Sequence, residues 1–281
     1  MAISLPAAVR DPPRGVAWSL CVRDLGSGAV LASVDAAAVL PIASVGKLFL
    51  LAEVARRIEA GELASGERLA RTRADGAADS GLWQHLAVEE LTAGDLATLV
   101  GAVSDNLAAN VLLRRVGLER VQATTRALGL RASALHDRVR DERGPQHPPA
   151  LASGSAAELS AFLVDLHGPV GERVLGWLAA GSDLSMVASA LGLDPLAHAQ
   201  PDRGLRLRHK TGTDAGVRAD AGRLEGPAGG VAYAVLARFD DEYRDTVLGA
   251  MRAVGEALRP FVLHRGSAMQ AVPTRSKPRR A

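Results

Sequence analysis

The sequence predicts an α/β protein of the α+β kind: an antiparallel sheet built from both ends of the chain, with an all-helical lobe between them. Three observations carry this. Period-two alternation of apolar residues marks strands within residues 15–43 and again within 202–260. Residues 44–201 read mainly as helices and loops, with helix-capping patterns at several starts. And 281 residues, 48% of them hydrophobic, suffice for one large domain or two interleaved lobes with a substantial core.

Val16, Trp18, Leu20 and Val22 alternate with Ala17, Ser19, Cys21 and Arg23, which predicts a half-buried strand. Gly26-Ser27-Gly28 supplies a turn, and Ala29 to Val34 returns as the hairpin partner. A helix is predicted from about Ser44 to Ala60, stopped by Gly61. Val45, Leu48, Phe49, Leu50, Leu51, Val54 and Ile58 cover nearly all its sides, so it should be enclosed. Thr92 with Asp95 predicts the cap of a helix running to Val103, and Leu107, Val111, Leu112 and Val116 mark the next. Ser155 with Glu158 has the form of a capping box ahead of Leu159, Phe162 and Leu163. Strand character returns at Leu205 to Thr211, then at about 222–224 and 231–238 across a Gly/Pro-rich link. Tyr243, Val247, Met251 and Val254 stripe a closing helix over about 241–258. Residues 1–14 and 265–281 are expected to be flexible ends.

The formal net charge of +2 hides an asymmetry. Residues 265–281 hold five basic residues and no acid, which leaves −3 on the rest, so charge gives no reason to expect nucleic acid. The single cysteine, Cys21, lies in a predicted strand and is expected to be a buried thiol. The seven histidines show no metal-ligand spacing, and no cofactor is implied. The first 14 residues hold Asp11, two arginines and three prolines without the apolar run of an export signal. No segment has the length of a membrane span. The expectation is a cytoplasmic, monomeric protein with a small-molecule substrate and no membrane partner.

Of 33 basic residues only Lys47, Lys210 and Lys277 are lysine. Lys277 falls in the tail, but Lys47 sits in Ser44-Val45-Gly46-Lys47 and Lys210 in His209-Lys210-Thr211-Gly212-Thr213. A guanidinium stays charged, whereas a desolvated ammonium can lose its proton and act as a base. Ser44 and Lys47, three apart at a helix start, share a face, and the helix end directs amide groups to the same spot. That suits a serine nucleophile, its base and part of an oxyanion hole. Surface decoration is the bland reading of a lone Ser-x-x-Lys, but here the surroundings are apolar and an unused lysine would be costly. Ser104-Asp105-Asn106 falls between two predicted helices, where Ser and Asp are also ordinary caps. In Lys210-Thr211-Gly212-Thr213 the glycine permits close approach to the backbone, and the Thr213 amide can be a second oxyanion donor.

Together and in this order, the three motifs resemble those of the penicillin-recognising serine enzymes, class A β-lactamases most closely. Leu40 to Lys47 is similar to the family's nucleophile segment, and Val103 to Leu113 is a closer likeness still. The resemblance spans about Gly15 to Pro260 and implies a β-lactamase/transpeptidase-like fold with the site between its lobes. It implies that Ser44 attacks a β-lactam or ester carbonyl and holds the acyl group, with Lys47 as base or one of two candidates for it. Ser104 would relay a proton to the leaving nitrogen under the influence of Lys210. Asn106 would bond the substrate's amide, Thr211 and Thr213 its carboxylate across Gly212, and Arg218 would balance its charge. The amides of Ser44 and Thr213 would form the oxyanion hole.

One part of the pattern is missing. Class A enzymes carry a loop glutamate that activates the deacylating water and an asparagine that helps hold it. Here the loop reads Leu135-His136-Asp137-Arg138-Val139-Arg140-Asp141-Glu142-Arg143-Gly144-Pro145, and Val139 or Arg140 falls where the glutamate belongs. Asp141 and Glu142 are close enough to serve in a rearranged loop, with Glu142 the candidate, or they are surface charges paired with nearby arginines. No asparagine follows Asn110. Acylation and release are separable steps, so the sequence leaves open a hydrolase, a homologue that stalls after acylation or only binds, and an esterase. A P-loop is ruled out by Pro41 and Leu48, and no Gly-x-Ser-x-Gly elbow exists.

Overall fold

A computed structural model of the chain describes residues 3–196 and 202–263. The elements run α1 (Ala7–Arg10), β1 (Val16–Asp24), β2 (Val30–Val34) and β3 (Val39–Pro41), then a 3-10 turn, Ala43–Gly46, and α2 (Lys47–Glu59). There follow β4 (Arg68–Ala70), β5 (Glu90–Thr92), α3 (Ala93–Val103), α4 (Asn106–Val116) and α5 (Leu118–Ala127). Next come β6 (Ala134–Leu135), β7 (Ala152–Ser155), α6 (Ala156–Asp165) and α7 (Gly168–Leu178). The chain closes with β8 (Arg206–Asp214), β9 (Val217–Gly226), β10 (Gly229–Phe239) and α8 (Arg244–Leu263).

Five strands form one antiparallel sheet in the order β2-β1-β10-β9-β8. The sheet is assembled from both ends of the chain, as expected: Val16 stands opposite Phe239 and Asp24 opposite Val231. β8 is an edge strand, and Lys210, Thr211, Gly212 and Thr213 lie on it. The sheet is covered on both faces, so β1 is buried throughout its middle rather than half-buried. Trp18, Leu20 and Val22 join Tyr233, Val235, Met251 and Leu258 in a core under α8. The small Cys21 lies on the other face, in the core that holds α2 and α6, and it is a buried free thiol.

The enclosed helix is α2, buried at every position from Lys47 to Ala55. Its one buried acid, Glu53, is satisfied by Arg56, Arg57 and the Thr124 hydroxyl. The Thr92–Asp95 capping box forms and α3 ends at Val103. At Ser155 only half the box exists. Ser155 Oγ accepts from the Glu158 amide, while the Glu158 carboxylate turns to the amides of Arg131 and Ala132.

Three expectations need correction. The segment before β1 is not loose: Ile3, Leu5 and Val9 are buried in the second core, and Trp18 Nε1 donates to the Ala8 carbonyl. The middle of the chain holds short strand pairs, β3-β7-β6 and β4-β5, too brief to show alternation. The helical start sits in a 3-10 turn, with α2 proper beginning at Lys47. The expected flexible end, 265–281, lies outside the described residues. Among those described, no helix is long and apolar enough to cross a membrane.

Candidate active site

Ser44 stands in the turn between β3 and α2, and Lys47 opens α2. Ala43 has φ 43°, a left-handed conformation that costs a residue bearing Cβ about 1 kcal/mol. Such strain persists only where the surroundings hold it. The Ile42 amide donates to the Ala152 carbonyl (3.1 Å), and Gly46 lies so tightly on β7 that a Cβ there would be 2.2 Å from the Ala152 methyl. From the other side, a Cβ on Gly212 would sit 2.3 Å from the Ile42 carbonyl oxygen and 3.1 Å from the Ser44 amide nitrogen. The absent side chain therefore lets β8 rest against the turn that carries Ser44.

The Lys47 ammonium donates to the Ser104 carbonyl (2.6 Å), to Ser104 Oγ (3.3 Å) and to Asn106 Oδ1 (2.7 Å). Burial, and then the charge of Lys210, push its pKa well below the usual lysine value. Ser104 ends α3 in a left-handed conformation (φ 57°), a second strained residue at the same place. Asp105 holds the segment after it. Its Oδ1 caps α4 through the Ala108 amide (2.8 Å), and Oδ2 accepts from the Leu82 and Trp83 amides (2.7 and 2.8 Å). Residues 78–83 thus form the far lip, which Asn106 reinforces through Nδ2 on the Ala78 carbonyl (2.6 Å).

Across the groove, Lys210 is also buried and donates to the Thr211 carbonyl (2.8 Å). Burial lowers its pKa to about 8, although Asp183 and Asp220 favour its charge. Ser44, Ser104, Lys210, Thr211 and Thr213 line one cleft of about 270 Å³. A hydroxyl, two desolvated amines and a second hydroxyl in contact with one of them are what a serine needs to be deprotonated and a leaving group to be protonated.

Lys210 makes stability depend on pH. Between pH 8 and 10 the unfolded chain keeps this proton and the folded chain has lost it, so stability rises with pH across that window. Above pH 10 Tyr233, whose pKa burial and Asp220 raise, reverses the sign. Denaturant titrations are expected to show a rise in stability from pH 8 to 10, of which about 2 kcal/mol is lost in Lys210→Met; Lys47, lowered as well, leaves a rise of the same sign in that variant.

The family model described as the beta-lactamase enzyme family matches residues 8–261. The chain belongs to that family. The fold of this β-lactamase-family protein is similar to a β-lactamase from Sphaerobacter thermophilus (24% identity, TM-score 0.77, covering 90% of this chain and 94% of that one). An ancestral class A β-lactamase (GNCA) aligns at 21% identity and TM-score 0.76, over 90% of this chain and 96% of that one. PBP-A aligns at 20% identity and TM-score 0.75, covering 89% and 91%. No curated protein sequence matches the chain significantly. Family membership makes it a hydrolase of the β-lactamase type.

Not every predicted site residue reaches the cleft of this family member. Both ends of the Asn106 amide are occupied, by Lys47 and Ala78, so it holds Lys47 rather than facing the open cleft. Arg218 stands opposite Thr213 in the ladder, but its guanidinium folds onto the carbonyls of Asp214 and Val217 (3.0 and 2.7 Å) and over the Phe239 ring. Glu142 is exposed and is not part of the cleft's lining. Asp141 accepts from the Ala78 amide (2.6 Å), and the loop arginines, Arg140 and Arg143, pair with Asp137 instead of either acid.

Asn110 fixes the loop at Val139. Its Oδ1 accepts from the Val139 amide (2.9 Å) and its Nδ2 donates to the Val139 carbonyl (3.0 Å). Asn106 and Asn110 lie one turn apart on α4, so Val139 is clamped about one helical pitch (~5.4 Å) along from the residue that holds Lys47. Val139 packs partly on the core. Asn110 was legible as the i+4 partner of Asn106. Asp183, which also lines the cleft, had no such signal, because it comes from a loop after α7 far away in sequence.

Proposed function

We propose that Ser44 is acylated by a β-lactam or a related amide or ester, and that the acyl group is released by slow hydrolysis. The observation that carries this is a single cleft lined by Ser44, Ser104 and the buried Lys210, with a second buried amine, Lys47, hydrogen-bonded to Ser104 behind it. Lys47, its pKa lowered by burial and by Lys210, takes the Ser44 proton. Ser104, bonded to Lys47 and close to Lys210, passes a proton to the leaving nitrogen or oxygen. The amides of Ser44 and Thr213, drawn together by Gly212, receive the developing oxyanion.

Slow release follows from Val139. Asn110 clamps an apolar residue at the loop position where a carboxylate would activate water, and the nearby acids are engaged elsewhere or exposed. PBP-A has itself been solved as an L158E variant in an acyl-enzyme complex with penicillin G. Intact-mass measurement after penicillin exposure, run beside a chromogenic cephalosporin assay, is the test. The unmodified protein is expected to carry a persistent adduct on Ser44 with little turnover. In Val139→Glu the lifetime of that adduct should fall at least about tenfold, in line with a gained general base. Rapid turnover with no adduct would show that release is already efficient. Folded protein giving neither adduct nor turnover would overturn the acylation itself.

A further inference from the structure

Three of the groups lining the cleft, among the described residues, are ionisable: Asp183, His209 and Lys210. Two of them are hidden. Lys210 is 2% exposed and turned onto the Thr211 carbonyl, and His209 is 3% exposed with Nδ1 on the Asp220 carboxylate (2.8 Å). Asp183 alone of the three is exposed. It is also fixed. Ser182, just before it, donates to the Ala102 carbonyl at the end of α3 through both its amide (3.0 Å) and its hydroxyl (3.2 Å). Asp183 Oδ1 accepts from the Ser185 hydroxyl (2.7 Å) and amide (3.1 Å). Thr211, on the opposite wall, is close enough to stabilise its ionised form.

An incoming molecule thus meets a positioned negative charge at the Lys210–Thr211 end of the groove. Among the described residues, the one lysine or arginine lining the groove, Lys210, is buried and answered by Asp183 and Asp220, while Arg218, turned onto its own carbonyls outside the lining, feels Asp183 only through its field. Resting on the acylation reading of this cleft, we infer that Asp183 sets substrate choice: the enzyme takes acyl donors that present a neutral or cationic group to Thr211 and disfavours those that present a carboxylate. Burial raises the Asp183 pKa, but hydrogen bonds from Ser185 and the proximity of Thr211 more than offset it, so the group is ionised at neutral pH.

The test measures binding without chemistry, in a Ser44→Ala background, by calorimetry with cephalothin and with its methyl ester. The ester is expected to bind about tenfold more tightly than the acid at low salt, a Coulomb effect reduced by solvent screening. Asp183→Asn keeps an oxygen acceptor for Ser185 and removes only the charge. It should improve binding of the acid about tenfold and change the ester by less than about twofold. As a check that needs no second substitution, raising salt from about 0.05 to about 0.5 M should shrink the acid–ester difference in the Asp183 protein. Equal binding of acid and ester, or a ratio that Asp183→Asn leaves unmoved, overturns the inference, as does failure of both compounds to bind. A different failure, discrimination intact but Ser44 never acylated in the unmodified enzyme, would strike the proposed function and leave this inference standing.

Discussion

Replacing Lys47 with arginine keeps the positive charge and is expected to reduce acylation of Ser44 by roughly 10²–10⁴-fold, the contribution typical of a positioned base. Arginine holds its proton under all working conditions, whereas the buried lysine, pushed down by desolvation and by Lys210, can give its proton up. The measurement is the rate of adduct formation by intact mass at saturating penicillin, with circular dichroism to confirm folding. A guanidinium is also bulkier than the ammonium it would replace at this buried position, so Lys47→Met serves as a smaller control. It should lose acylation to a similar degree and, freed of a desolvated amine, unfold at a higher denaturant concentration. Acylation of the arginine variant at the parent rate would remove Lys47 as base.

The second large effect is expected from Gly212→Ala. One methyl group would sit 2.3 Å from the Ile42 carbonyl oxygen and 3.0 Å from the Val45 amide nitrogen, both backbone atoms that cannot rotate aside. β8 must then draw back from the Ser44 turn, widening the gap between the two amides that face the reacting carbonyl. Loss of one such donor is worth about 10²–10³-fold in rate. Overpacking of this kind also costs about 1–3 kcal/mol in stability. The rate loss should persist at saturating substrate, because the amides act on the charge that develops in the transition state. An alanine variant with unchanged rate and stability would mean that β8 does not press on the nucleophile's turn.

Much of this architecture could be read from the residues, and the reason is local. The Thr92–Asp95 box, the alternation through β1 and the apolar sweep of α2 are each written within a dozen neighbouring positions. The residues gathered at the cleft were legible for a similar cause: Ser-x-x-Lys and Lys-Thr-Gly are short, and lysine is otherwise almost absent. What stayed hidden depends on contacts across space. Arg218 has the right distance from Thr213 along the chain, but Phe239 and two turn carbonyls claim its guanidinium. Glu142 and Asp141 sit near the expected loop position, yet Asp137 attracts the arginines and an amide from residue 78 takes Asp141. Counting could not choose between Val139 and Arg140, and the clamp from Asn110 onto the Val139 backbone joins residues 29 apart in the chain. No local pattern ties the loop at Asp183 to the groove.

The central pairing of β1 with β10 has a bearing on how the protein is made. Residues 16–24 leave the ribosome well ahead of the strand that completes them, which lies more than two hundred residues later. Until β10 has been made, the β1–β2 hairpin has an apolar face and an unpaired edge, a hazard that rises with translation time. Chains interrupted before β10 would therefore be expected to aggregate rather than accumulate as a folded helical fragment.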